Sequence, residues 1–276
     1  MKCKFWGVRG SVPAPGDQTA GYGGNTSCIE ICFEDLERLI ILDAGSGIRE
    51  LGNDLMTRYR DRSSQQIEMF VTHTHWDHIQ GFPFFQPAYD PRRHFIIAIP
   101  DKDRKGKDLE TVFATQMQSE YFPVPVEKMG ASMMFWAPET TRYITHAGVD
   151  VIASKHNHPG DAYGYRLEEA GKVLVYCTDI EHGDRIDPNV VALSKNADLL
   201  IHDAQYTPEE LKEKKGWGHS SWEQAIEVAE QAGVKRLALF HHDPGHTDNF
   251  LFRMEEECQR RFPGAFLSRE GMEIEI

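Results

Sequence analysis

The run Thr72-His73-Thr74-His75-Trp76-Asp77-His78 constrains this 276-residue chain more than any other feature. Three imidazoles and one carboxylate follow directly on the strand-like run Ile67-Glu-Met-Phe-Val-Thr72. Groups this polar at a buried strand end need partners that offset their desolvation, and adjacent divalent cations are such partners. Alternate residues of an extended loop point the same way, so His73 and His75 can grip one ion while Asp77 and His78 turn toward a second. The fold must therefore deliver this loop to a rigid and partly buried place.

Other strand-like runs end in the same chemistry: Val175-Tyr-Cys-Thr-Asp179, Ile201-His202-Asp203 and Leu237-Ala-Leu-Phe-His241-His242, with Ser154-Lys-His156-Asn-His158-Pro159 at a further strand end. Asp179 suits a bridge between two cations, because a carboxylate has two oxygens and brings negative charge into the site. His219, in Gly218-His219-Ser220-Ser221, stands just before a helix whose N-cap is Ser220 or Ser221. Spacing leaves both His241 and His242 open as ligands. Converging strand ends are where layered α/β folds carry their sites. With no Gly-x-Gly-x-x-Gly turn present, two β-sheets with helices outside are expected, not a nucleotide-binding doubly wound sheet.

Strands are expected at Lys4–Val8, Ser27–Phe33, Arg38–Leu42, Ile67–Thr72, Phe95–Ile99, Val149–Ala153, Tyr163–Leu167, Lys172–Cys177, Ala197–Ile201 and Lys235–Phe240. Helices are expected over Ser46–Arg60, Asp108–Ser119, Ser221–Gln231 and Asp248–Arg261. No repeat or linker divides the chain, so residues 1–276 read as one domain. Forty-three acidic against 30 basic residues give a net charge of −13. The nearest basic run, Lys102-Asp-Arg-Lys-Gly-Lys107, reads as a solvated loop, and capture of long nucleic acid is disfavoured. Five cysteines without a Cys-x-x-Cys pair make no disulfide framework. No secretory h-region and no run of ~20 apolar residues is present, which points to the cytoplasm.

These residues resemble the metallo-β-lactamase-fold hydrolases, and within them the branch of the tRNA 3′-processing endonucleases (RNase Z). The likeness runs through Phe5-Trp-Gly-Val-Arg-Gly-Ser-Val-Pro13, Tyr22-Gly-Gly-Asn-Thr-Ser-Cys28, His73–His78, Asn157-His158-Pro159, Gly164-Tyr165-Arg166, Thr178-Asp179, Gly218-His219-Ser220 and Leu239-Phe240-His241. It implies a four-layer αββα sandwich of two mixed sheets. It implies two divalent ions, Zn²⁺ foremost and Mn²⁺ acceptable. His73, His75 and His158 would hold one, Asp77, His78 and His241 the other, with Asp179 between. The Leu-x-His frame selects His241 over His242. His219 matches a non-ligand histidine that assists phosphodiester cleavage, and Asp77 and Asp179 join it as catalytic candidates. His202, His242 and His246 are candidates to orient ligands through their ring N–H groups.

RNase Z enzymes carry a long basic arm for tRNA, typically between the third metal motif and the bridging Asp. Here only 21 positions separate His158 from Asp179, too few for an arm. The opening segment and Gly216-Trp-Gly-His-Ser-Ser221 look like those of small phosphodiesterases that hydrolyse 3′,5′-cyclic nucleotides, the anti-Pycsar type among them. The resemblance then implies hydrolysis of a small cyclic phosphodiester by a metal-activated hydroxide. Phosphoribosyl 1,2-cyclic phosphate cleavage, tRNA 3′ processing and a glyoxalase II-type thioesterase are the competing readings. Ser220, the backbone N–H groups at that helix start, Trp217 and Arg166 are candidate substrate contacts. Phe82, Phe84, Phe85 and Tyr89 could stack on a base or fill the core. Residues 121–136 read as a Pro-broken apolar insertion, either a lid or subunit contact or a piece of internal packing, and a homodimer is expected.

Overall fold

The computed structural model describes residues 1–33, 38–60, 66–100, 108–146 and 148–276; the basic run 102–107 lies outside them. The first part of the chain contains β1 (Lys2–Gly7), β2 (Cys28–Cys32), β3 (Leu39–Leu42), α1 (Ile48–Arg58), β4 (Gln66–Phe70), α2 (Trp76–Ile79), β5 (His94–Ala98), α3 (Leu109–Gln116) and β6 (Ser132–Trp136). The second part contains β7 (Arg142–Ile144), β8 (Asp150–His156), β9 (Ala162–Glu169), β10 (Lys172–Cys177), α4 (Pro188–Ser194), β11 (Leu199–Asp203), α5 (Pro208–Glu213), α6 (Trp222–Ala232), β12 (Leu237–Phe240), α7 (Asp248–Arg261), β13 (Ala265–Leu267) and β14 (Glu273–Glu275).

Among the described residues the strands form two seven-stranded sheets, ordered β14-β1-β2-β3-β4-β5-β6 and β13-β12-β11-β10-β9-β8-β7. Their inner faces meet through large buried rings: Phe70 lies 5.5 Å from Tyr165, and Phe5 lies 6.2 Å from Phe240. Each such buried ring contributes roughly 1.5–3 kcal/mol. The outer face of the second sheet is covered by α4, α6 and α7 through Val190, Ile226, Ala229 and Leu251. On the first sheet, α1 buries Ile48, Leu51 and Leu55, the three-to-four spacing of an amphipathic stripe, and Phe113 of α3 packs on Phe135 of β6. Helix, sheet, sheet and helix make the expected αββα sandwich.

Strand direction positions the site. β3, β4 and β5 run parallel, as do β10, β11 and β12. β8 points the same way as β10, because each is antiparallel to β9. The C-terminal ends of these strands therefore open at common edges and bring forward Asp43, His73, His158, Asp179, Asp203 and His241.

Residues 132–136 are not part of an insertion: they form β6, which pairs in parallel with β5. Short elements with little periodicity of their own, β7, β13, β14, α4 and α5, are added to the expected set. Five cysteines are free, and four of them are buried. Among the described residues no helix is long and apolar enough to cross a membrane.

Candidate metal centre

The two groups of side chains anticipated from sequence come together as two sets of ligand atoms. Nδ1 of His75 lies 3.1 Å from Nε2 of His158, and the ring of His73 lies 4.4 Å from that of His75. In the second set, Nε2 of His241 lies 3.1 Å from Oδ2 of Asp77 and 3.3 Å from Nε2 of His78. Asp179 faces both sets. Its Oδ1 is 3.7 Å from His73 Nε2 and 3.9 Å from His158 Nε2, while its Oδ2 is 3.2 Å from His78 Nε2 and 3.3 Å from His241 Nε2.

A tetrahedral ion with ligand bonds of about 2.0–2.1 Å spaces its ligand atoms about 3.3 Å apart, which is the spacing in the second set. His73 Nε2 is buried with no hydrogen-bond partner, an orphaned lone pair aimed at the centre. The donor set of imidazoles and carboxylates therefore fits two divalent ions.

Four of the five rings, those of His73, His78, His158 and His241, are held by their other nitrogen. Nδ1 of His78 meets Oδ2 of Asp43 at 2.8 Å, Nδ1 of His158 donates to the Gly218 carbonyl at 2.8 Å, and Nδ1 of His241 donates to Gln205 Oε1 at 2.9 Å. Thr72 Oγ1 sits 3.1 Å from His73 Nδ1 and also bonds Asp43. These contacts turn the Nε2 atoms inward, as ligand-orienting partners do. Asp43, Gln205 and the Gly218 carbonyl escaped the sequence reading. Its own candidates are engaged elsewhere: His202 Nδ1 donates to the Asp203 carbonyl, His242 Nε2 to the Ser268 carbonyl, and His246 Nε2 pairs with Glu210.

The backbone is bent to make this possible. Among the described residues seven non-glycine residues have positive φ, and four of them, Ser11, Asp43, Asp179 and His241, converge here. The left-handed region costs an L-residue ~1–2 kcal/mol, so the surroundings must over-determine it. The Ser11 amide donates to Asp77 Oδ2 at 2.8 Å. Gly10 lies against the His241 ring, where a Cβ would meet Nδ1 at 2.4 Å. Gly218, at φ +89°, leaves no room either: a Cβ would stand 2.3 Å from His158 Nδ1.

Burial holds His73, His75 and His158 below the usual imidazole range, with the neighbouring histidines adding to it, so their lone pairs stay available. Burial opposes ionisation of Asp77 and Asp179, but the surrounding imidazoles outweigh it and hold both well below the carboxylate range. For His78 burial is likewise outweighed, by Asp179, Asp77 and Asp43, and its pKa rises.

His219 stacks on His241 with ring centroids 5.0 Å apart and presents Nδ1 to Asp203 Oδ2 at 2.8 Å. Burial opposes its protonation, but Asp203 outweighs burial and raises the imidazole to about 9. Asp203 also accepts from the amides of Asp179, Gln205 and Ser220, tying three loops to one carboxylate.

Two candidate substrate contacts are corrected. The Ser220 hydroxyl is buried and donates to the Ile180 carbonyl at 2.5 Å, and the N-cap of α6 is Ser221 in a capping box with Gln224. The amides of Ser220, Ser221 and Trp222 bond Asp203, Gln224 and the Tyr206 carbonyl, so those three are already engaged. Arg166 points to the other face of β9, where its guanidinium caps the end of α4 at the Leu193 and Lys195 carbonyls. Trp217 is 62% exposed, with Lys214 Nζ 5.5 Å from its ring centroid. Phe82 and Phe85 are core; Phe84 is exposed.

Comparison with known proteins agrees with this geometry. Residues 38–242 match the β-lactamase superfamily domain. A ribonuclease Z of Enterococcus faecalis is 35% identical over 317 aligned positions, covering 100% of this chain and 97% of the relative. The metallo-β-lactamase-fold protein YhfI of Bacillus subtilis superposes with a TM-score of 0.71 at 18% identity, covering 99% of this chain and 98% of its own. A diphosphatase of the PhnP family gives 0.70 at 17% identity, covering 100% and 97%. The chain belongs to the β-lactamase superfamily and is a metal-dependent hydrolase of the metallo-β-lactamase fold with ribonuclease Z-like relatives.

Proposed function

We propose that the protein is a phosphodiesterase with two divalent ions that opens a small cyclic phosphodiester, a 3′,5′-cyclic nucleotide, to the nucleoside monophosphate. The observation that carries this is the connection between His158 and Asp179. β9 and β10 pair as a hairpin closed by Ala170-Gly171, where the resemblance to RNase Z leads one to look for a tRNA-holding arm. The 317 positions aligned with the E. faecalis relative exceed this chain's 276 residues by 41, so the relative has sequence that this chain lacks. A net charge of −13 also disfavours the many phosphate contacts a tRNA requires.

His73, His75 and His158 would hold one ion, Asp77, His78 and His241 the other, and Asp179 both. When bound, such ions lower the pKa of water toward ~7 and neutralise phosphoryl oxygens. His219, kept protonated by Asp203, donates a proton to the departing ribose oxygen as the phosphorus–oxygen bond breaks. Asp77, oriented by the Ser11 amide, can accept the proton released by the attacking water. Exposed Met134 and Ile144 on the edge strands β6 and β7 support assembly as a homodimer.

Whole-chain similarity to ribonuclease Z favours a second reading, tRNA 3′ processing. A mobility-shift assay with precursor tRNA near physiological salt separates the two. The small-substrate reading expects no retained complex and no cleavage; tight binding with cleavage would replace it by the second.

A further inference from the structure

A cavity of about 410 Å³ opens beside the His73–His78 loop. Thr74 and Trp76, on either side of His75, line it, as does Ile79, which follows His78. Gln116, the last residue of α3, stands in the lining, together with Phe84 and Tyr121. Among the described residues no charged side chain lines it. Its volume falls in the ~300–1,000 Å³ range of small-molecule sites.

Two features say what such a space can recognise. Trp76 is 75% exposed although it sits between two ligand residues, so its ring face is not consumed by packing. Gln116 Nε2 donates to the Ile79 carbonyl at 3.3 Å, which leaves the amide oxygen as its free end. Among the described residues no group donates to that oxygen, so it is available to a ligand N–H. An aromatic face and a carbonyl acceptor, with no charged side chain in the lining among the described residues, suit a neutral planar heterocycle that carries an amino group.

We propose that this cavity is the base subsite of the enzyme, with Trp76 as its stacking surface and Gln116 Oε1 accepting from the exocyclic amine of the base. The proposal rests on the phosphodiesterase reading above. It separates cytosine from uracil, because uracil places a carbonyl where cytosine has its amine, and two acceptors would then face each other.

The test compares kcat/KM of the metal-loaded protein on 3′,5′-cyclic CMP, 3′,5′-cyclic UMP and a base-free methyl riboside 3′,5′-cyclic phosphate. The cytosine substrate should exceed the uracil substrate by about tenfold, and Gln116→Leu should abolish that preference. Trp76→Ala should lower the ratio of base-bearing to base-free turnover by about tenfold, and Trp76→Phe should restore most of it. A disturbed metal loop would slow all three substrates alike and leave the ratio intact, which would overturn the proposal, as would a cytosine preference that survives Gln116→Leu. Conversion of a dimer to a monomer by Trp76→Ala in sedimentation would show a second copy covering the cavity and would also overturn it. If the wild type turns over none of the three, the phosphodiesterase reading fails separately. Equilibrium dialysis of CMP against UMP then decides the subsite: a preference lost in Gln116→Leu supports it, and equal binding refutes it.

Discussion

Nδ1 of His219 lies 2.8 Å from Oδ2 of Asp203, and the same carboxylate receives the amides of Asp179, Gln205 and Ser220. One buried carboxylate thus fixes Asp179, His219 and the start of α6. His219→Ala should lower kcat by about 10²–10⁴-fold while metal content stays at the wild-type level. Asp203→Asn should lower kcat more than it raises KM, since Asp203 acts through His219 and does not touch substrate. Metal analysis of both variants beside steady-state kinetics checks this, and metal lost from His219→Ala would make that residue a ligand instead.

Asp179 is the side chain placed between both ligand sets. Asp179→Ala should bind at most one ion per chain and lose turnover by at least about 10³-fold. Stripping the ions with a chelator should also lower the melting temperature, because ions that bind only the folded state at a hundredfold excess over Kd add about 2.7 kcal/mol. Elemental analysis and thermal melts measure the two effects.

The contact between Gly10 and His241 has no slack. A methyl group there would overlap His241 Nδ1 at 2.4 Å and Gln205 Oε1 at 2.7 Å. Gly10→Ala should displace the ring, weaken binding of the ion held with Asp77 and His78, and lower activity by at least about tenfold, as misplacement of a catalytic constellation does. Titration with zinc should show one weakened and one unchanged site.

Acid stability should depend on His182, away from the ligands. Burial, followed by the nearby His202, lowers its pKa to about 3, while its Nδ1 accepts the Asp187 amide. The unfolded chain takes up a proton near 6.5 that the folded chain refuses, so this contribution is intact above pH 6.5. It is lost progressively as pH falls toward 3. The expected loss is about 2 kcal/mol between pH 7 and pH 5. Urea midpoints for wild type and His182→Gln, compared at both pH values with the same metal, should show a shallower fall in the variant.

Much of the site was legible because its ligands follow apolar strands, and strand ends in a layered fold converge. What escaped were partners whose sequence context is ordinary. Asp43 sits in Leu42-Asp43-Ala44-Gly45, which reads as a turn, and only the parallel pairing of β3 with β4 places it under Thr72 and His78. Asp203 was named beside His202 but given no role, since every residue of β11 is buried and no alternation shows which neighbour faces the metal centre. Arg166 fails as a substrate contact for a reason that alternation does explain. Tyr165 turns inward to donate to the Val71 carbonyl, so the next residue must face α4. β6 went unread because it is a half-exposed edge strand behind a proline-broken segment.

The central claim is hydrolysis of a small cyclic phosphodiester by the centre around Asp179. Its most direct measurement is chromatography of the products formed from a 3′,5′-cyclic nucleotide by the Zn²⁺- or Mn²⁺-loaded protein, with Asp179→Ala as the blank. The account predicts steady conversion to the nucleoside 5′-monophosphate by the wild type and none by the variant. An intact cyclic nucleotide, with precursor tRNA cleaved by the same preparation, would contradict it.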